Sequence, residues 1–169
     1  VPSNPFERIS TDILGPLPTC QNTGNKYVIV FIDYFTKYVE LVAVPDIKAR
    51  TVAWAFQTEV ICRHGTPSYL HSDRGTNYLS NIVKETCKLL QITKTQTSSY
   101  HPQCNGQSER MMSVILASLA KRLDTQHDTW DRHLPFVQFV HNNSPCLDST
   151  GYSPAFLTYG RHPRSPLDT

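Results

Sequence analysis

Lys26-Tyr27-Val28-Ile29-Val30-Phe31-Ile32-Asp33 is a run of β-branched and aromatic residues without polar alternation. A strand with one wet face alternates apolar and polar side chains, so this run reads as a central strand covered on both faces. Upstream, Arg8-Ile9-Ser10-Thr11-Asp12-Ile13-Leu14 reads as a strand halted by Gly15-Pro16, and Asn22-Thr23-Gly24-Asn25 supplies the turn between the two. Downstream, Lys37-Tyr38-Val39-Glu40-Leu41-Val42-Ala43-Val44 is a third strand. The short connections predict an antiparallel meander. A helix is expected from Ile47 to His64, with Asp46 capping its start and Gly65-Thr66-Pro67 ending it. Ser68 to Ser72 then forms a short strand that delivers Asp73.

Further along, the pattern predicts a helix over Ser80 to Leu90, a fifth strand over Ile92 to Gln96, and a polar loop over Ser98 to Gln107. Helices over Ser108 to Leu123 and Thr129 to Asn142 follow, then a proline- and glycine-punctuated tail from Ser144 with one helical turn over Pro154 to Tyr159. These elements make an α/β domain, one mixed five-stranded sheet flanked by helices. The 169 residues suit a single domain, with a compact core over about 6–143 and a loop-rich segment over 144–169. Beginning at Val1, the chain is expected to be an excised fragment.

An apolar fraction of 39% and a charged fraction of 18% are ordinary for a globular protein. No stretch is long and apolar enough to span a bilayer, so no membrane association is expected. The five cysteines are odd in number and contain no Cys-x-x-Cys pair, which favours reduced thiols in an intracellular protein over a disulfide framework or zinc knuckle. A net charge of +2 permits nucleic-acid binding without arguing for it.

Three carboxylates carry the chemistry. Asp12 lies three positions before Gly15-Pro16 and reads either as a turn residue or as a functional group at a strand end. Asp73, before Arg74-Gly75-Thr76-Asn77, likewise fits an Asx-type turn. Glu109 is more specific. At about 100° per residue Met112, Leu116, Leu119 and Leu123 form one apolar stripe, and Glu109 falls within about 45° of its centre, while Arg110, Ala117 and Lys121 fall elsewhere. A core-facing carboxylate needs a partner or a cation. No Lys or Arg shares that face, whereas two Asp residues can end at one edge of the sheet. Converging carboxylates without His or Cys favour Mg²⁺ or Mn²⁺ over zinc, a site suited to two-metal phosphoryl transfer. No Gly-rich phosphate loop is present, so a nucleotide triphosphatase has no support.

Sixty residues separate Asp12 from Asp73 and thirty-five separate Asp73 from Glu109, so the chain resembles the D, D-35-E family of retroviral and long-terminal-repeat retrotransposon integrases. Ser10 to Pro18, Ile32 to Lys37, His71 to Asn77, Tyr100 to Arg110 and Ser149 to Arg161 follow the family's local motifs, most nearly those of its Ty3/gypsy branch. The resemblance spans nearly the whole chain. It implies an RNase H-like fold, Asp12, Asp73 and Glu109 as the catalytic, metal-binding triad, and two ions in the DNA-bound state. It implies hydrolytic trimming of a DNA 3′ end followed by attack of that 3′-hydroxyl on target DNA. It also implies a homodimer or higher oligomer acting in the nucleus.

The Tyr100–Gln107 segment matches the family's active-site loop, with Gly106 placed as its hinge. Asn77, Tyr100, His101, Asn105, Gln107 and Arg110 become candidate DNA contacts, against the alternative of a solvated loop and helix face. Cys104-Asn105 stands where relatives commonly carry Thr-Asp, which touches loop chemistry but no triad member. Asp33 is a fourth carboxylate to which the resemblance gives a structural role. Trp54, Phe56 and Trp130 are expected in the core or at a subunit interface. Relatives flank this core with a His-His-Cys-Cys zinc module and a small basic domain, so the core alone is expected to be weak in full integration.

Two rival readings remain at this point. A nuclease of the same fold would carry a larger and differently spaced carboxylate set. A host-domesticated relic serving as a DNA-binding or scaffold protein is compatible with an intact triad.

Overall fold

In the computed structural model, residues 2–72, 77–90, 113, 117, 128–147 and 149–164 are described. Strands β1 (Arg8–Leu14), β2 (Tyr27–Asp33), β3 (Val39–Val44) and β4 (Tyr69–Ser72) form one sheet in the order β3-β2-β1-β4. β2 is antiparallel to both β1 and β3, and β4 runs parallel to β1, so the sheet is mixed. The expected fifth strand, Ile92 to Gln96, lies outside the described residues.

Both faces of β2 are buried, as its unbroken apolar run requires. Ile29 and Phe31 pack with Val52, Phe56, Val60 and Leu70 on one face, and Val28, Val30 and Ile32 pack with Trp130 and Leu134 on the other. Burying one side chain of the size of Phe56 contributes about 1.5–3 kcal/mol, so two filled layers hold the sheet from both sides.

Helix α1 (Ala49–Phe56) continues through a π-helical turn, Gln57–Ile61, into a last turn, Cys62–His64, and stops at Gly65 with φ +92°. It starts two residues after the expected Ile47, because Asp46 is not the cap itself. Its Oδ1 accepts from Lys48 N at 3.0 Å and Thr51 Oγ1 at 2.6 Å, which organises the approach to the helix. Helix α2 (Asn77–Leu89) packs against α1 and places Cys87 in the first core layer.

A 3-10 turn, Trp130–His133, leads into α3 (Leu134–Asn143), and α4 (Pro154–Tyr159) packs on α3. Ser113 and Ala117, both helical and exposed, are the described residues of the long helix expected over Ser108 to Leu123. Ala117 therefore lies off the apolar stripe, as helical phase requires. No helix among the described residues is long and apolar enough to cross a membrane.

β3 is an edge strand, and alternate residues of such a strand point unpaired backbone groups outward. Asn142 Oδ1 accepts from Val39 N at 2.9 Å, its Nδ2 donates to Val39 O at 2.9 Å, and Gln138 Oε1 accepts from Leu41 N at 2.8 Å. One helical turn advances about 5.4–6 Å and two strand residues about 6.6 Å, so side chains four apart on α3 match backbone groups two apart on β3. α3 thereby seals the edge with side-chain amides.

Candidate active site

Asp12 sits on central β1, paired with Val30 of β2 and sharing a sheet face with Ser10 and Leu14. Its carboxylate is half-buried, and Oδ1 accepts from the following amide, Ile13 N, at 2.8 Å. The β1–β4 pairing ends at Thr11↔Ser72, so the next residue along each strand's sequence is an aspartate, Asp12 on β1 and Asp73 after β4. Asp73 and Glu109 lie outside the described residues, as do Tyr100, His101, Asn105, Gln107 and Arg110. Asn77 is described only as the first residue of α2. Among the described residues no three His, Cys, Asp or Glu side chains gather as a metal site, and two of the three carboxylates expected to form one fall outside them. Asp12 itself suits a hard cation: it is an oxygen donor on a rigid strand, reachable from solvent.

Asp33 has the structural role expected of it. It is buried at the end of β2, level with Ile9 rather than Asp12. Its Oδ2 accepts from Thr36 N at 2.9 Å and Thr36 Oγ1 at 2.7 Å, which closes the turn into β3. Phe56 and Trp130 are fully buried, whereas Trp54 is 67% exposed on α1. The cysteines among the described residues, Cys20, Cys62, Cys87 and Cys146, are thiols rather than disulfides.

Two polar clusters escaped the sequence reading. Glu40, only 3% exposed, lies under the β3 edge. Its Oε1 accepts from His64 Nε2 at 2.8 Å, and its Oε2 accepts from Gln138 Nε2 at 2.6 Å and Arg63 Nη1 at 3.2 Å. Arg63 also pairs with Glu59 in the π-helical turn, and His64 stacks on Phe6 at 3.8 Å. Beside this cluster Tyr38 bonds Tyr159 through the hydroxyls at 3.1 Å, and burial, reinforced by that partner, pushes the Tyr38 hydroxyl far above its ordinary range. The only local signal was a His-Arg pair at a helix end, which named no partner.

In the second cluster, Asp131 Oδ2 accepts from Thr23 Oγ1 at 2.6 Å and Asn25 Nδ2 at 3.0 Å, and Trp130 Nε1 donates to Pro18 O at 2.7 Å. Burial pushes the Asp131 carboxyl up, but the hydrogen bonds from Thr23, Asn25 and Cys20 outweigh it and hold the group below the ordinary carboxylate range. Burial raises the Cys20 thiol. This clasp ties the β1–β2 connection to the chain as it enters α3.

A mixed sheet whose central strand presents a carboxylate at the end of its parallel pairing defines an α/β domain of the RNase H-like class. The chain belongs to the integrase core domain family, whose model matches residues 2–102. It is 29% identical over 165 residues to the retrovirus-related Pol polyprotein from transposon 412 of Drosophila melanogaster, covering 98% of this chain and 13% of that protein. It is 29% identical over 163 residues to the gypsy retrotransposon integrase-like protein 1 of Bos taurus, covering 96% of this chain and 32% of that protein. The chain thus spans less than a third of either relative's length. The HTLV-2 integrase catalytic core domain, solved in complex with magnesium in a trimeric form, superposes with a TM-score of 0.66 at 18% identity, over 93% of this chain and 99% of that one, and shares the fold.

Proposed function

We propose that this domain is the catalytic core of a DNA integrase that trims a 3′ end of element DNA and joins the resulting hydroxyl to target DNA. The observation that carries the reading is the place of Asp12: half-buried on the central strand, one residue beyond the β1–β4 pairing, in a chain of the integrase core family. Asp12, Asp73 and Glu109 would hold Mg²⁺ or Mn²⁺, two ions when DNA is bound. Ions held there supply activation of the attacking hydroxyl and stabilisation of the leaving oxygen. Asp12 contributes a carboxylate whose direction is set by the Ile13 amide and by strand pairing to Val30. Asn77, Tyr100, His101, Asn105, Gln107 and Arg110 bind phosphates or base edges and orient the strand. Exposed Trp54 on α1 and Phe136 and Val140 on α3 support self-association as a homodimer or higher oligomer. A protein acting on chromosomal target DNA works in the nucleus.

A disintegration assay on branched DNA with Mg²⁺ or Mn²⁺ tests the reading. The wild-type chain rejoins the strand, and Glu109→Gln lowers that rate about a hundredfold or more and weakens Mn²⁺ binding in calorimetry. Equal rates for the two proteins sink the role given to the carboxylate. The integrase-like relative in Bos taurus supports a second reading, a host protein that binds DNA as a scaffold. That reading expects DNA binding with no strand joining by the wild-type chain.

A further inference from the structure

The segment after α3 carries a surface that the carboxylate chemistry does not use. Tyr152 lies over Phe156 with ring centroids 5.5 Å apart and planes 22° from parallel, and Phe156 lies against His162 at 4.8 Å and 21°. Backbone geometry builds this three-ring stack. Cys146 N donates to Tyr152 O at 3.0 Å, and Cys146 O accepts from Ser149, Thr150 and Gly151 N, which closes a tight loop beneath Tyr152. Ser153 Oγ caps α4 by accepting from Phe156 N at 3.3 Å. Gly160, at φ +67°, ends α4 in the left-handed region and sends the chain back, so that His162 reaches the Phe156 ring. Rings packed only for burial would be covered, yet Tyr152 is 56% exposed and His162 is exposed too. From Ser149 to Ser165 the sequence holds no Asp or Glu, and Arg161 and Arg164 are exposed with no ion pair among the described residues.

We propose that this face is a second DNA-contact surface, which stacks an unpaired base of a single strand on the exposed rings and seats neighbouring phosphates on Arg161 and Arg164. The inference rests on the DNA-acting reading above and names a separate part of the substrate's path. Rigid aromatic faces bordered by cations are how single strands are held without sequence preference. The Tyr38–Tyr159 hydroxyl bond ties α4 to the start of β3, two strands from the β1 that carries Asp12.

Fluorescence anisotropy of the 169-residue chain with a labelled single strand of about 15 nucleotides, and with the matching duplex, tests it. Tyr152→Ala weakens single-strand binding about fivefold or more and leaves duplex binding unchanged, while Tyr152→Phe retains both. Arg161→Gln with Arg164→Gln weakens both and lowers the salt slope by about one to two. The melting temperatures of all variants match wild type, because the altered side chains are exposed. In Tyr152→Ala, unchanged single-strand affinity or equal losses on strand and duplex overturn the proposal, as does the absence of binding by wild type. A chain that binds strand through these residues but joins no DNA removes the integrase reading and leaves the surface standing. A chain active on branched DNA whose Tyr152→Ala variant binds normally does the reverse.

Discussion

Glu40 on β3 and Asp12 on β1 are carboxylates of one sheet, two strands apart and on opposite faces. Both oxygens of Glu40 are engaged: His64, Arg63 and Gln138 all donate to it, and it is buried at an edge that α3 closes. Asp12 lies half-buried where the pairing with β4 stops, oriented by its own strand's next amide. A buried carboxylate that accepts from the end of α1 and from α3 ties both elements to the sheet and is shut away from a ligand. One placed where strand pairing ends is held in direction yet reachable. The sheet therefore divides labour under the proposed function, with Glu40 at the β3 edge given to stability and Asp12 at the end of β1 left for chemistry.

The sharpest way to break this comparison is to neutralise each acid in turn. Asp12→Asn keeps the acceptor for Ile13 N, so it abolishes strand joining by about a hundredfold or more while leaving thermal unfolding unchanged. Glu40→Ala does the opposite. It strands His64 and Arg63 and costs about 3 kcal/mol, lowering Tm by about 6–12 °C with joining per folded molecule retained. If Asp12→Asn unfolds the protein, or Glu40→Ala silences it at full stability, the division fails.

A smaller effect probes the sealed edge alone. Asn142→Ala leaves the buried N–H and C=O of Val39 unsatisfied, costs about 2 kcal/mol and speeds amide exchange at Val39 about tenfold or more. Exchange at Val28 and Val30 in the sheet interior, followed in the same spectra, stays slow. Uniform acceleration across β2 would mean that α3 supports the sheet as a whole and not its edge.

The smallest effect is read with pH. Burial holds His141 of α3 below its ordinary range despite a backbone hydrogen bond at Lys37, so its folded state prefers the neutral ring. The stability this contributes is complete above the unfolded value of about 6.5 and is lost as pH falls toward the lower folded value. Asp131, also held low, contributes stability that is complete above about 4 and is lost at lower pH. Acid should therefore weaken the α3 flank in two stages, and His141→Gln removes the first. A single loss confined to pH below about 4 in the wild-type chain contradicts the placement of His141.

Much of the fold was legible along the chain because it depends on local period and punctuation. The Val28–Ile32 run named the two-sided strand, Gly15-Pro16 ended β1, and Pro154 to Tyr159 came out as the expected short helix. Boundaries slipped where side chains act at a distance. Asp46 lies two residues before the cap position of α1 and braces the helix through Lys48 N and Thr51 Oγ1, and α1 contains a π-helical turn that no sequence period signals. Of the three aromatics expected in the core or at a subunit interface, Phe56 and Trp130 lie in the core and Trp54 faces outward, a choice that residue type alone does not make.

Family membership rests on order and spacing, and Asp12, Asp73 and Glu109 could be proposed as a triad from the sequence because carboxylate chemistry is written in residue type and separation. The roles of Glu40, Gln138, Asn142 and Asp131 could not. Each acts through a partner about a hundred residues away, Gln138 with Glu40, Asn142 with Val39, and Asp131 with Thr23. Such contacts arise only when the sheet's open edge and the returning α3 meet, and a hydrogen bond spans about 3 Å of space whatever the distance along the chain.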